Sequence, residues 1–255
     1  MKKVTAFIGT SSKKATYQAT QEFERNLKRY ADVEFEYVFL DDYKLEYCRG
    51  CKLCFDKGEE SCPLRDDRDA LLEKMAGSDG VILATPNYAF HVTARMKNLL
   101  DRLAFIFHRP RFFGKTLTAI VTQGFYGGGA IRKYLEDTGE NFGFSVTKGC
   151  YLTTLEPMTE RQRESLSKKV REASERFYRG LTRPTPPPSL FRLMLFRMSR
   201  TNIRLILDPT YRDYNHYREQ GWFESDYYYD TSLGPVRKLA GYLFDFLGRQ
   251  MVRNR

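Results

Sequence analysis

Residues 80–88 read Gly-Val-Ile-Leu-Ala-Thr-Pro-Asn-Tyr, and this stretch decides the fold class. The run from 80 to 85 is apolar without polar alternation, which is typical of a strand covered on both faces of a parallel sheet. Pro86 lacks a backbone N–H group and therefore ends the strand. We predict a buried central strand followed by a short loop at the edge of a sheet.

Strand-like and helix-like segments alternate on both sides of this stretch. The further predicted strands cover 4–9, 33–40, 115–123 and 144–152. Predicted helices cover 16–30, 92–105, 129–141 and 159–178, and another helix, capped by Asp66 and Asp67, ends near 76–77. Strands separated by helices form right-handed βαβ units, so the sequence predicts an α/β fold with a doubly wound, five-stranded parallel sheet. Ligands of such sheets bind at the carboxyl ends of the strands, where the loops after the first, third and fourth strands converge.

The composition excludes several other classes of protein. The 255 residues carry 42 Lys and Arg against 32 Asp and Glu, a net charge of +10, and they include 17 Tyr and 19 Phe. This length and aromatic content predict a full hydrophobic core and no global disorder. No apolar run approaches the roughly 18 residues that span a bilayer, and the run after Lys3 is too short for a signal peptide. We therefore expect a soluble, cytoplasmic protein without a transmembrane segment.

The positive charge is not concentrated in one tail. Residues 1–180 and residues 181–255 each carry a net charge of +5, which argues against a basic arm for nucleic acid. Eleven of the twelve cations in residues 181–255 are arginine, a residue suited to carboxylate pairing and aromatic stacking. We expect no nucleic-acid partner.

Three loops at the carboxyl ends of predicted strands carry unusual chemistry. In residues 9–17, hydroxyls, backbone N–H groups and a helix N-terminus form a site suited to one phosphate, although an ordinary polar loop would have the same composition. In residues 85–90, Tyr88 and Phe90 can stack on a planar ring or, alternatively, pack against the next helix. In residues 123–129, four glycines let backbone N–H groups approach a ligand, unless the loop is merely flexible.

Four of the five cysteines lie within fifteen residues. Cys48, Cys51, Cys54 and Cys62 have the spacing C-x2-C-x2-C-x7-C, followed by a proline. In a reducing compartment such a set indicates metal or redox chemistry ahead of structural disulfides. Iron–sulfur ligation, zinc ligation and thiols without a metal are three alternatives at this point, whereas Cys150 is expected to be a buried apolar filler in a strand.

The prolines of residues 182–189 predict a stiff linker between a domain at 1–181 and a mainly helical extension at 190–255. The extension begins with a helix whose apolar stripe we expect to pack inward while its arginines stay solvated. The stripe consists of Phe191, Met194, Leu195, Met198 and Leu205, and the arginines are Arg197, Arg200 and Arg204. A membrane-surface helix is the alternative interpretation of this composition. A final amphipathic helix is predicted over 239–251.

These motifs, in this order, resemble the NADPH-dependent FMN reductase family of flavodoxin-like proteins, and within it the iron–sulfur flavoprotein branch. The resemblance covers about residues 1–155. It rests on Gly9-Thr10-Ser11-Ser12, the cysteine run that ends in Asp66-Asp67, Thr85-Pro86-Asn87-Tyr88, and Lys97 with Asp101-Arg102. One departure is that Ser11-Ser12 occupies the place where the family often has Pro-Arg, which would shift the phosphate contacts toward Lys13 or Lys14.

The resemblance implies a sheet with strand order 2-1-3-4-5 and FMN as the cofactor. It implies that the FMN phosphate binds to the first loop, at Thr10, Ser11, Ser12, Lys13, Thr16 and Tyr17. It places the flavin ring against the second and third loops, at Pro86, Asn87, Tyr88, Ala89, Phe90, Gln123, Gly124, Tyr126, Gly127, Gly128 and Gly129. It also implies a [4Fe-4S] cluster on Cys48, Cys51, Cys54 and Cys62.

The activity implied by the resemblance is an FMN-dependent oxidoreductase that takes electrons from NADH or NADPH and passes them to an acceptor. No catalytic acid or base is predicted, because the three histidines form no ligand or triad spacing and hydride transfer depends on positioning. A homodimer or higher homo-oligomer is implied, with the aromatic stretch 105–113 as the expected interface. The positive charge would then attract an acidic, ferredoxin-like electron partner. Two rival functions are an electron carrier without substrate turnover and a regulatory or nucleic-acid-binding module with a redox sensor.

Overall fold

A computed structural model describes residues 1–254 and divides into two compact units. The first unit contains Met1–Arg49 and Leu64–Pro184, and the second contains Gly50–Pro63 and the chain from Thr185 onward. Most of the cysteine-rich loop is therefore grouped with the C-terminal residues. The boundary between Pro184 of the first unit and Thr185 of the second lies within the proline-rich stretch 182–189. The predicted division into a domain at 1–181 and an extension at 190–255 stays a prediction.

The first unit is built on a parallel sheet with strand order β2-β1-β3-β4, and two short strands, β5 and β6, both pair with β4. The strands are β1 (Lys2–Ile8), β2 (Val33–Phe39), β3 (Gly80–Pro86), β4 (Thr116–Gln123), β5 (Ser145–Val146) and β6 (Cys150–Thr153). The helices of the chain are α1 (Ala15–Leu27), α2 (Leu53–Asp56), α3 (Arg68–Ala76), α4 (Ala94–Arg102), α5 (Gly128–Phe142), α6 (Glu160–Thr182), α7 (Leu190–Ile206), α8 (Arg212–Glu219) and α9 (Pro235–Arg253). This topology confirms the predicted flavodoxin-like, doubly wound α/β fold and the helical C-terminal extension.

The fifth strand differs from the sequence prediction. The sequence predicts one strand over 144–152, whereas the structure has a break between β5 and β6, and the register against β4 shifts by one residue across it, as at a β-bulge. In the break the Thr147 N–H donates to the Leu117 carbonyl (2.9 Å) and the Gly149 N–H donates to the Glu136 carboxylate (2.8 Å). A Cβ atom at Gly149 would lie 2.8 Å from the backbone nitrogen of Ala119, so this close approach requires glycine.

The central strands of the first unit are buried because they are apolar on both faces. Every residue of β4 is buried, and β3 is buried as far as Thr85. On one face α1 packs against α6, where the rings of Phe23 and Phe177 meet edge to face with centroids 5.5 Å apart. Cys150 lies in the same core, as expected, and burial raises the pKa of its thiol to about 12.

The aromatic stretch 105–113, expected as an oligomer interface, lies mostly inside the first unit. Phe105, Ile106 and Phe112 are buried. Arg109 is also buried, with its guanidinium 5.7 Å from the centre of the Phe105 ring. These side chains pack the unit itself, so the interface prediction is wrong for them. Separately, within residues 1–254 no helix combines the length and the apolar character needed to cross a membrane.

The second unit has a core of aromatic rings. α7 and α9 pack along each other, and α2 and α7 both contact α8. The Trp222 ring meets the rings of Tyr217 and Tyr228 edge to face, and the Phe196 ring lies 4.5 Å from that of Tyr228. The indole N–H of Trp222 donates to the Tyr228 carbonyl (3.0 Å). This aromatic cluster joins α7, α8 and the loop that follows α8.

The buried face of α7 is not the predicted apolar stripe. Leu193, Phe196 and Arg197 are buried, whereas Phe191 and Leu205 of the stripe are 61% and 53% exposed. The sequence prediction is wrong here because it assigned the interior to the most apolar side of the helix. The structure instead places a charged residue there.

That charge is compensated by an ion-pair network. Arg197 pairs with Asp245 (3.0 Å) and with Asp226, and Arg200 pairs with the other oxygen of Asp245 (2.6 Å). The expectation that the arginines are solvated therefore fails for Arg197 and Arg200. Arg204 remains exposed. Both buried arginines pair with carboxylates, a partner for which arginine is well suited.

Candidate functional site

Three loops meet around a cavity of about 220 Å³ at the carboxyl ends of β1, β3 and β4. The residues that line it are Thr10, Ser12, Lys14, Ala15, Thr16, Pro86, Asn87, Tyr88, Thr122, Gln123, Gly124 and Thr154. Eight of these twelve belong to the candidates selected from the sequence. The lining offers hydroxyls, amides and a lysine, so it is suited to a polar ligand with negative charge.

The first loop forms the hydroxyl-rich side of the cavity. The Thr10 hydroxyl oxygen accepts a hydrogen bond from the Ser12 N–H (3.2 Å). The hydroxyls of Thr16 and Thr122 bond to each other (2.6 Å), which ties the first turn of α1 to the end of β4. Backbone N–H groups in a first helical turn have no partner within the helix, so this end of the cavity favours an anion.

Two neighbouring lysines of the first loop have different surroundings. Lys14 lines the cavity, whereas the ammonium of Lys13 lies 5.7 Å from the centre of the Phe39 ring. The Tyr17 ring also packs on Phe39, with centroids 5.4 Å apart. The side chains of Lys13 and Tyr17 therefore lie against Phe39 of β2. The structure does not bring these two candidates, or exposed Ser11, to the cavity.

Asn87 connects the second loop to the third. Its backbone N–H donates to the Thr122 carbonyl (2.7 Å), and its side-chain amide donates to the Tyr126 carbonyl (2.8 Å). Its side-chain oxygen is buried and has no hydrogen-bond partner among the described residues. Because a buried acceptor left without a partner costs about 1–3 kcal/mol, this oxygen suits a ligand that donates a hydrogen bond.

A tight hairpin forms the rest of the second loop. Tyr88 and His91 exchange backbone hydrogen bonds (3.1 and 3.0 Å), while Ala89 and Phe90 between them have φ angles of 50° and 61°. The left-handed conformation costs a residue with a Cβ atom about 1–2 kcal/mol, and such strain is concentrated at functional sites. The turn leaves Tyr88 and Phe90 exposed, with the Phe90 ring 5.0 Å from that of Tyr126. Ala89 and Phe90 thus lie outside the cavity lining.

Gln123 organises the third loop from within. Its side-chain oxygen accepts a hydrogen bond from the Gly128 N–H (2.6 Å), and its amide donates to the Phe125 carbonyl (3.1 Å). Gly127 has a φ angle of 97°, a conformation that favours glycine. Of the loop's candidates, Gln123 and Gly124 line the cavity. The candidates outside the lining are Tyr126, Gly127, Gly128 and Gly129.

Sequence reasoning missed two residues of the lining, Thr122 and Thr154, whereas Lys14 and Ala15, although not selected as binding residues, lie within the predicted phosphate loop 9–17. Thr122 and Thr154 stand at the carboxyl ends of β4 and β6, where parallel strands direct their loops toward a ligand. A hydroxyl residue at the carboxyl end of a parallel strand is the signal that could have identified them. Lys14 and Lys13, in contrast, are indistinguishable by composition.

A buried ion pair fixes the chain that leads into the cysteine-rich loop. The side chains of Asp66 and Arg102 are 0% and 2% exposed, and Arg102 donates to Asp66 (2.9 Å) and to the Glu46 carbonyl (2.8 Å). Asn98 on α4 accepts a hydrogen bond from the Cys48 N–H (3.2 Å). Burial raises the pKa of Asp66, but hydrogen bonds from Arg102 and from backbone N–H groups outweigh this effect, so the pKa is lowered. Asp66, Asn98 and Arg102 therefore hold the backbone of Glu46 and Cys48 in place through hydrogen bonds.

The predicted capping of α3 is not observed in the expected form. Asp67 stands immediately before α3, but its side chain accepts a hydrogen bond from the Lys44 N–H (2.7 Å) and makes no capping bond. Asp66 accepts a bond from the Arg68 N–H (3.2 Å) in addition to its ion pair. Both aspartates therefore hold the chain around Lys44 to α3.

The four cysteines of the motif differ in exposure. Cys48 and Cys51 are exposed, while Cys54, in α2, and Cys62 are half-buried. Thiolates are the preferred ligands of iron–sulfur clusters and of structural zinc. Within residues 1–254, however, no three Cys, His, Asp or Glu side chains are arranged so that they could hold a metal ion. The donor set suits a cluster in type and number, but the arrangement is not that of a metal centre.

Comparison with known proteins connects this site to a family. Residues 2–154 match the family model described as NADPH-dependent FMN reductase. A relative from Archaeoglobus fulgidus named iron–sulfur flavoprotein is 33% identical over 195 residues, which cover 74% of this chain and 85% of the relative. An iron–sulfur flavoprotein from Clostridioides difficile is 25% identical over 215 residues, which cover 82% and 89% of the two chains.

A solved structure shows the same fold at lower identity. The structure of RosB with bound 8-demethyl-8-formylriboflavin-5'-phosphate has a TM-score of 0.55 and is 15% identical to this chain. The alignment covers 92% of both chains. At this identity the likeness concerns the fold alone.

Proposed function

This chain belongs to the NADPH-dependent FMN reductase family, in its iron–sulfur flavoprotein branch, and on that premise we propose that it is an NAD(P)H-dependent FMN oxidoreductase. Family membership supports the activity class, an FMN-dependent oxidoreductase. The proposal adds that the flavin binds in the cavity at the carboxyl ends of β1, β3 and β4. The observation that carries it is a cavity lined by hydroxyls, a lysine and Asn87, whose buried side-chain oxygen has no hydrogen-bond partner among the described residues.

In this proposal the first loop holds the FMN phosphate. Thr10, Ser12 and Thr16 supply hydroxyl donors, and the first turn of α1 supplies N–H groups. Lys14 supplies the positive charge that the family's frequent arginine would provide at the position of Ser12. The residues present therefore suit a phosphate despite the departure from the family pattern.

The flavin ring extends from the cavity beside the second and third loops. At about 220 Å³ the cavity is smaller than the roughly 300–1,000 Å³ of small-molecule pockets, so it suits the phosphate and sugar end of FMN. Asn87 lines the cavity beside these loops, and its buried side-chain oxygen has no hydrogen-bond partner among the described residues. The exposed rings of Tyr88, Phe90 and Tyr126 offer aromatic surface for a planar ring.

Bound FMN supplies the redox chemistry, since a flavin takes up two electrons together from a nicotinamide and can release them singly. The side chains bind and orient. Gln123 holds the third loop in one conformation through Gly128, and Asn87 ties that loop to the second. These hydrogen bonds hold the second and third loops at a fixed distance from each other. The protein therefore contributes by positioning the reactants, and no side chain needs to transfer a proton.

We extend the proposal to the cysteines as ligands of a [4Fe-4S] cluster. The support is the C-x2-C-x2-C-x7-C spacing and the name iron–sulfur flavoprotein carried by the relatives. The proposal further includes a cytoplasmic location, a homo-oligomer and an acidic, ferredoxin-like electron partner attracted by the net charge of +10.

Two matched variants test where the phosphate binds. Lys14→Met removes a cation from the cavity, and we expect FMN affinity to fall about 10–100-fold because a charge-assisted hydrogen bond is lost. Lys13→Met, one residue away, should leave FMN affinity near that of the wild type. Flavin fluorescence measures both. Equal losses in the two variants would place the phosphate elsewhere.

Steady-state turnover of NADH or NADPH distinguishes an oxidoreductase from an electron carrier without substrate turnover. We expect the FMN-loaded protein to oxidise NADH or NADPH continuously with a soluble artificial acceptor. Full FMN occupancy without turnover on either nicotinamide would instead support the electron carrier.

Iron and acid-labile sulfide test the cluster independently of the flavin. Anaerobically prepared protein should contain both, and Cys54→Ser should lose them, whereas Cys150→Ala should keep them because Cys150 lies in the core. Wild-type protein without iron and sulfide would reject the cluster and leave the FMN proposal standing.

A further inference from the structure

α9 rests on α7 through a narrow face of small and paired residues. Gly241, Asp245 and Gly248 are its buried positions. A Cβ atom at Gly241 would lie 3.2 Å from the Arg197 guanidinium, and one at Gly248 would lie 3.1 Å from the Thr201 side chain. The contact face therefore has no room for the large apolar residues of this helix.

Those residues form an exposed stripe on the opposite side, the α9 apolar face. Its members, each between 41% and 73% exposed, are Val236, Leu239, Leu243, Phe246 and Leu247. Their spacing of 3, 7, 10 and 11 residues from the first member places them on one side of an α-helix. A contiguous exposed apolar surface of this kind marks an interaction site.

Cations border this face, and exposed carboxylates are missing from the helix. Lys238, Arg249 and Arg253 are exposed, and their spacing of 11 and 4 residues aligns them along one edge of α9. The acidic residue of α9 is Asp245, which is buried and paired with Arg197. α9 therefore presents apolar side chains and positive charges together.

We propose that α9 binds to the surface of an anionic lipid bilayer. The α9 apolar face enters the boundary of the acyl chains, and Lys238, Arg249 and Arg253 contact the phosphate headgroups. Its 19 residues give a length of about 28 Å that lies in the plane of the membrane. A second copy of this face would bring the same cations and no exposed carboxylate, so the charges favour lipid. The proposal uses no residue of the cavity and is independent of FMN binding.

Vesicle sedimentation of the full chain tests the proposal. We expect binding to phosphatidylcholine vesicles that contain phosphatidylglycerol, little binding to pure phosphatidylcholine, and weaker binding as salt rises. Leu239→Asn with Leu243→Asn should lower the partition coefficient at least about tenfold, because both side chains leave the acyl boundary. Lys238→Glu with Arg249→Glu should lower it by a similar factor for anionic vesicles.

Conservative variants serve as controls. Leu239→Met with Leu243→Met keeps the apolar surface, and Arg161→Glu changes an exposed charge on α6, so both should bind like the wild type. Trp222 fluorescence reports whether each variant keeps the second unit folded. If the paired Asn variant unfolds, Leu243→Asn alone replaces it.

Three outcomes would overturn the proposal. One is no binding to anionic vesicles at low salt, and another is undiminished binding by the Asn and Glu variants. The third is a concentration-dependent dimer, seen by sedimentation velocity without lipid, that the Asn variant abolishes. That result would assign the α9 apolar face to a second copy of the chain.

Discussion

The two units of this chain bury different kinds of side chain. In the first unit, β3 and β4 bury apolar runs between packed helices, and Phe23 and Phe177 meet in that core. In the second unit the interior contains Arg197 and Asp245 as an ion pair beside aromatic rings. Apolar burial is nondirectional, whereas a buried charge is stabilising only while its partner stays in place. Single substitutions should therefore affect the two interiors for different reasons.

The largest effect is expected at the centre of the second unit. Asp245→Asn removes the buried carboxylate with which both Arg197 and Arg200 pair, and it leaves Arg197 with exposed Asp226 as its ion-pair partner. This loss should lower the free energy of unfolding of this unit by about 3–5 kcal/mol. Urea unfolding followed by Trp222 fluorescence measures this unit, because Trp222 is the single tryptophan of the chain.

Asp226→Asn is the matched control for that variant. Its carboxylate also pairs with Arg197 but is 56% exposed, so the loss should stay below about 1 kcal/mol. If both variants lost a similar free energy of unfolding, the buried carboxylate of Asp245 would not be the main source of stability in this interior.

A smaller effect is expected at the bulge of the first unit. Gly149→Ala inserts a Cβ atom against the backbone of Ala119 and should cost about 1–3 kcal/mol through overpacking. Gly129→Ala is the control, since its Cβ would lie 3.6 Å from the Tyr151 ring, an ordinary contact, within α5. Denaturation followed by circular dichroism compares them. Wild-type stability of Gly149→Ala would remove our explanation for the break between β5 and β6.

The smallest effect concerns the pH dependence of the Asp66–Arg102 ion pair. The folded-state pKa of Asp66 is lowered, so its stabilising contribution is complete above the unfolded pKa of about 3.9 and is lost as pH falls through the folded value. The stability difference between wild type and Asp66→Asn should therefore narrow below about pH 4, by at most about 1.4 kcal/mol per pH unit.

Denaturation at a series of pH values measures this narrowing. Asp137→Asn, which removes an exposed partner of Lys133, should differ from the wild type by only about 0.3–0.5 kcal/mol. A stability difference for Asp66→Asn that stays constant across the acidic range would show that the Asp66 pKa is not lowered.

The fold of the first unit was largely predictable because its information is local. The apolar run from 80 to 85 and its counterpart in β4 need no knowledge of their neighbours to indicate buried strands. The bulge at Gly149 was not predictable, because it depends on how closely that residue approaches Ala119 in the finished sheet. Local pattern predicts the strand but not the contact that interrupts it.

The candidate cavity was predictable as a set of loops, but only in part as a set of side chains. The carboxyl ends of parallel strands locate Thr10, Asn87 and Gln123 on topological grounds. Which of Lys13 and Lys14 lines the cavity depends instead on the aromatic surface of β2, where Phe39 receives Lys13. Contacts in the folded structure, and not the local sequence, therefore determine which lysine lines the cavity.

The interior of the second unit was the least predictable. Hydrophobic periodicity assigns the apolar stripe of α7 to the core, but Arg197 occupies the buried face because Asp245, 48 residues later, lies opposite it. A pattern within one helix contains no information about a partner at that distance. The tendency of these arginines to pair with carboxylates was visible in the composition, whereas the pairing itself was not.

The most direct test of the central claim is a titration of flavin-free protein with FMN and with riboflavin, followed by flavin fluorescence. We predict saturation at one FMN per chain and riboflavin binding that is weaker by at least about tenfold, because riboflavin lacks the phosphate for the first loop. Equal affinities for the two flavins, or no saturable binding of FMN, would contradict it.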